Sequence, residues 1–144
     1  MNENSSKNDK MKPIGFQLGV SKTFSISCDD LWKFLLSEEG LEVWLGEINF
    51  DEFEINKPFK TKQGVEGKLT VFKLDSHLRL AWKPKNWEKS SFVEMRITNL
   101  KGRARILFHQ TKLYEMEQRI EMKKYWVNII LNIENKLAEE KNGR

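Results

Sequence analysis

The chain has 144 residues, 39% of them apolar and 32% charged, which fits one globular domain with one core and excludes a disordered chain. No apolar run approaches the ~20 residues needed to span a bilayer, and the polar start MNENSSKNDKMK lacks the apolar core of a secretory signal. The net charge of +4 hides an asymmetry: residues 29–54 carry nine acidic side chains against one basic, and residues 55–112 carry fourteen basic against four acidic.

Residues 1–12 read as a flexible tail, polar and without periodicity, ahead of a single domain over residues 13–141. From Phe16 the apolar residues Phe16, Leu18, Val20, Phe24 and Ile26 fall on alternate positions, the period of a half-buried strand. Ser27 then offers a helix cap with Asp30 three residues on, the spacing of a capping box. Leu31, Trp32, Leu35 and Leu36 follow at helical spacing, and Ser37 starts a second short helix through Leu41, Trp44 and Leu45 that Gly46 ends. Two tryptophans in so short an element suit a cover over one open end of a sheet, either with both packed as plain core residues or with Trp32 in the core and Trp44 at the rim of a hollow.

A series of strands is expected next. The first runs from Phe50 to Ile55 and turns at Asn56-Lys57-Pro58, and a second covers Phe59 to Lys62. Gly67 to Leu74 pairs through an Asp75-Ser76 turn with a strand carrying Leu78, Leu80 and Trp82. Lys83 to Ser91 reads as a loop. Val93, Met95 and Ile97 alternate, Asn99 to Gly102 turns, and Ala104, Ile106 and Phe108 alternate to about Thr111. The chain ends in a long helix, Tyr114 to about Glu140, with Met116, Ile120, Met122, Trp126, Ile129, Ile130, Ile133 and Leu137 at three-to-four spacing. Hairpin-length connections predict an antiparallel sheet, and only the last helix is long enough to cover one of its faces.

The stretch SKTFSISCDDLWKFLLSEEGLEVWLG resembles the opening of the SRPBCC superfamily, the START-like helix-grip fold. Within it the chain is most similar to the branch named for the C-terminal domain of the heat-shock protein 90 ATPase activator. The resemblance rests on Leu31-Trp32, on Trp44-Leu45-Gly46, on Gly64 and Gly67, on LRLAW from Leu78 to Trp82, on ILFHQTKL and on YWVNIILNIENKL. Together these cover about residues 16–140. It implies an α+β fold in which a curved antiparallel sheet of about six strands wraps the C-terminal helix and leaves a cavity. In related branches that cavity holds lipids, polyketides or plant hormones. The branch itself is named for stimulating a chaperone ATPase.

Catalytic chemistry has little to rest on. Alternation places His109 on the face opposite Ala104, Ile106 and Phe108, and His77 directly follows a hairpin turn. Neither histidine has ligand-spaced partners for a metal. Cys28, the only cysteine, excludes an internal disulfide, points to a reducing cytosolic setting, and lies beside Asp29 and Asp30, which oppose a thiolate. No nucleophile elbow, phosphate loop or dinucleotide fingerprint is present, so neither a catalytic role nor a cofactor is expected.

Two readings follow. In the first, a non-enzymatic protein binds a small apolar or amphipathic ligand between sheet and helix, in a cavity lined by Trp44, Trp82, Met95, Phe108, Met116 and Ile120, residues that would equally serve to fill that space as a packed core. In the second, a basic row of Arg96, Arg103 and Arg105 on the outer sheet face meets a chaperone or another acidic protein. A membrane partner is not expected. Nucleic acid lacks its usual aromatic platform, because the strand aromatics alternate inward.

Overall fold

The computed structural model describes residues 16–142, so the tail expected over 1–12 and the first residues of the domain lie outside the described residues. Strand β1 (Phe16–Phe24) buries Leu18 and Phe24 on the face that alternation selects. Ser27 caps α1 (Cys28–Leu35) by accepting the Asp30 N–H at 3.1 Å, which satisfies one of the donors a helix start leaves open. Ser37 caps α2 (Glu38–Trp44) in the same way, accepting from the Gly40 N–H at 3.0 Å while it donates to the Phe34 carbonyl at 2.6 Å. The two helices meet so closely that a Cβ on Gly40 would collide with the Phe34 carbonyl. Gly46, at φ 119°, then reverses the chain in a conformation few other residues adopt.

The strand expected from Phe50 to Ile55 is not formed. Phe50–Glu52 is a single 3₁₀ turn, and Ile55 makes only an isolated parallel bridge to Leu69. The Asn49 side chain accepts the Asp51 N–H at 3.1 Å, offering the backbone a local partner in place of a strand neighbour. The aromatic spacing agrees, since Phe50 and Phe53 are three residues apart rather than two.

The remaining strands are β2 (Pro58–Lys60), β3 (Glu66–Lys73), β4 (His77–Lys83), β5 (Ser91–Leu100) and β6 (Arg103–Leu113). They form one six-stranded sheet in the order β1-β6-β5-β4-β3-β2, with every strand pair antiparallel. The register sets Leu78 opposite Met95 and Met95 opposite Phe108, so the inward side chains of three strands form a continuous row. Helix α3 (Met116–Asn142) has 27 residues, about 40 Å at 1.5 Å per residue. Its buried residues Met122, Trp126, Ile129, Ile130 and Ile133 share one core cluster with the inward residues of the sheet and with α1 and α2. No helix among the described residues is long and apolar enough to cross a membrane.

Candidate functional site

Most of the space between sheet and α3 is filled. Phe108 stacks on Trp126 at 4.5 Å between ring centroids, and Trp126 lies 5.6 Å from Trp82 and 4.9 Å from Tyr125. Trp44 meets Phe108 at 6.0 Å and Phe53 at 6.5 Å. A polar chain threads this aromatic interior. The Trp126 indole donates to Gln110 Oε1 at 2.8 Å, Gln110 Nε2 donates to Ser91 Oγ at 2.9 Å, and Ser91 donates to the Trp82 carbonyl at 2.7 Å. Ser91 and Gln110 are both fully buried. Parity could have located Gln110, which continues the inward set Ala104, Ile106, Phe108. Ser91 was hidden because the residues before it read as loop.

Two larger hollows border this core. One is an open groove of about 1200 Å³ between β1, the two short helices and the second half of α3. Its walls carry Lys22, Lys33, Glu38, Glu39 and Glu134, with Lys22 and Glu134 paired at 3.5 Å, so it is a charged surface groove rather than an apolar cavity. The other, about 320 Å³, opens between the end of α2, the β2–β3 connection, the end of β4 and the first half of α3. Val43, Leu45, Val65, Trp82, Met122 and Tyr125 give it apolar walls, and Glu42 and Glu121 stand among its lining residues.

Two of the residues that line the smaller pocket have unusual circumstances. The Trp82 indole N–H is buried and has no hydrogen-bond partner, one of two such side-chain atoms among the described residues, the other being that of Trp32. Buried donors are paired in the great majority of cases, and leaving one unpaired costs about 1–3 kcal/mol. Tyr125, whose ring lies 6.2 Å from that of Trp82, has its hydroxyl pushed up to about 12 by burial, so it stays protonated at neutral pH.

The six residues expected to line a cavity are dispersed. Trp82 lines the pocket. Met95 and Phe108 are fully buried in the core, and so is Trp44, which is not at a rim: its indole donates to the Leu35 carbonyl at 2.8 Å and ties the end of α1 to α2. Met116 and Ile120 are about half exposed. At 3.6 residues per turn Ile120 falls about 120° round the helix from Trp126, outside the buried stripe. Helical spacing alone could not phase the stripe, because apolar residues also occupy this second line.

The histidines lie apart from the pocket. Both alternate onto the outer sheet face, where His109 Nε2 lies 2.9 Å from Gln17 Oε1 and His77 Nδ1 lies 2.8 Å from Ser76 Oγ. The same face carries the basic row. Arg96 pairs with Glu94 at 3.1 Å, Arg105 donates to Ser21 at 3.1 Å, and Arg103 opens β6 beside the hairpin, opposite Leu100.

Solved structures share this architecture at low identity. MLL2253 from Mesorhizobium loti matches with a TM-score of 0.72 at 17% identity, over 86% of this chain and 98% of that one. CalU16 from Micromonospora echinospora matches at 0.71 and 12%, over 81% of this chain and 71% of that one. The chain has the helix-grip fold. A third match, PFC0360w, an HSP90 activator from Plasmodium falciparum, reaches 0.70 at 16%, over 86% of this chain and 97% of that one. No family model and no curated protein matches the sequence. Likeness at these identities carries the fold, and function has to be argued from the site.

Proposed function

We propose that this helix-grip chain is a non-enzymatic binding protein that takes a small apolar or amphipathic ligand in the 320 Å³ pocket between α2, β4 and α3. The observation that carries the reading is the Trp82 indole N–H, buried without a partner in a residue that forms the pocket wall. Because Nε1 is closed off from water in the free chain, a ligand acceptor would reach it by displacing part of the wall and would then supply the missing bond, while the apolar walls hold the rest of the molecule. The pocket lies at the small end of the range of ligand sites, roughly 300–1,000 Å³, which suits a two- or three-ring compound. The test is an NMR titration of the labelled protein with neutral aromatic alcohols and ketones. Binding should move the Trp82 indole resonance and the amides of Val43 and Val65, and Trp82→Phe should weaken acceptor-bearing ligands about tenfold while leaving naphthalene unaffected. Silence of all three signals across the panel overturns the reading.

A second reading, contact with an acidic protein such as a chaperone, is supported by Arg96 and Arg105, diagonal neighbours on the outer face of β5 and β6, and by the fold shared with an HSP90 activator. Arg103→Glu with Arg105→Glu should slow association with such a partner by about tenfold or more at low salt. An unchanged association rate in surface plasmon resonance removes it.

A further inference from the structure

The same pocket holds a charge pattern that bears on which ligands it can accept, and the inference rests on reading it as a ligand site. Its charged lining residues are Glu42 on α2 and Glu121 on α3, both exposed side chains. They stand on two separate elements that flank the opening. Lys60, Lys62, Lys83, Lys85, Lys123 and Lys124 neighbour lining residues in sequence, yet none of them lines the pocket, and Lys83 is paired with Glu66 at 3.8 Å. Lys62 is engaged by Glu47 at 3.5 Å, and the Lys85 chain lies against Gly64. Gln63, the remaining long polar side chain of the lining, is held by the Glu47 N–H at 3.3 Å. A ligand head at the opening therefore meets two carboxylates and no cation from the pocket itself, although the chain as a whole carries +4.

We propose that the pocket selects neutral or cationic aromatic ligands and turns away aromatic carboxylates. The apolar walls, Trp82 and Tyr125 among them, receive the ring system, and Glu42 and Glu121 act on a charged head that stays near water. A carboxylate head meets like charge from two sides, and an ammonium head meets opposite charge from both. Because both glutamates are solvated, the effect is moderate and screened by salt within about 8–10 Å at 0.1–0.15 M.

The experiment compares 2-naphthylmethylamine, 2-naphthylmethanol and 2-naphthoate, which share a ring system and differ in head charge, by NMR titration at 20 mM salt. The amine should bind about tenfold more tightly than the naphthoate, with the alcohol between them, and the difference should shrink to about twofold in 0.5 M salt. Glu42→Gln with Glu121→Gln should bring the amine and the naphthoate to within about twofold at low salt without moving the affinity of the alcohol. Naphthoate binding as tightly as the amine, or a preference that survives the double substitution, overturns the charge selection while leaving the pocket a ligand site. Silence of the Trp82 indole with all three compounds overturns the pocket reading itself, and the charge selection with it.

Discussion

Tyr125 lies 4.9 Å from Trp126 and 6.2 Å from Trp82, and burial pushes its hydroxyl from 10.0 up to about 12. The folded chain therefore keeps this proton over a pH range in which the unfolded chain releases it. A raised folded value contributes stability that is whole below pH 10 and is lost as pH climbs from 10 to 12. Urea unfolding between those limits should show the native chain losing up to about 2 kcal/mol more than Tyr125→Phe, which has no proton to release there. Lysine deprotonation in the same range is common to both proteins and cancels in the difference. Parallel loss in the two would show that the Tyr125 hydroxyl is not held by burial. At this scale the sequence was only partly legible. That Trp32 and Trp44 anchor the cover helices could be read from their spacing, but the Trp44–Leu35 hydrogen bond that makes Trp44 a core residue depends on the angle between α1 and α2, which spacing does not encode. Tyr125 and Met122 were missed as pocket residues for the same kind of reason. Their place depends on the rotation of α3 about its axis, and two apolar lines on that helix left the rotation open.

Among the elements, the hairpin between β5 and β6 places a lysine where the turn favours asparagine or glycine. Lys101 at φ 54° and Gly102 at φ 85° both occupy the left-handed region, the pattern of a type I′ turn. Glycine takes that conformation freely, whereas a lysine pays roughly 1 kcal/mol for it and asparagine less. Lys101→Asn should raise stability by about 0.5–1 kcal/mol by chemical denaturation and leave the sheet register unchanged. A loss of stability would mean that Lys101 makes a contact outweighing its backbone cost. The turn itself was evident in Asn99-Leu100-Lys101-Gly102, as were β4 to β6, because each of those strands alternates against a buried face, whereas β3 buries only Leu69 and was marked out by the turns on either side of it. The segment 50–55 was not, because its charged residues interrupt the pattern and Asn49 supplies a local hydrogen bond that no periodicity reports. The element order and antiparallel pairing were therefore accessible, and the exception lies where side-chain-to-backbone bonding competes with the ladder.

For the whole molecule, the decisive connection is the buried polar chain from Trp126 through Gln110 and Ser91 to the Trp82 carbonyl. It joins α3 to three strands, β6, β5 and β4, and it ends on the residue whose ring forms the pocket wall. Apolar contacts alone distinguish neighbouring seats of α3 less sharply than directional bonds do. Three directional bonds in a low-dielectric interior fix one position, because any shift leaves buried donors and acceptors unpaired. Trp126→Phe removes one donor and strands Gln110 Oε1, and Gln110→Met strands the Trp126 N–H. Each alone should cost about 2–4 kcal/mol, since a buried unpaired group is added to the lost packing. Made together they leave neither group stranded, so the double variant should be at least 1 kcal/mol more stable than the sum of the two losses predicts. The Trp82 indole resonance should broaden in both single variants, because the strand that carries it loses its register with the helix. Strict additivity in the cycle, with a sharp and unmoved Trp82 signal, would mean that packing alone sets the seat of α3 and that the polar chain is incidental to the pocket.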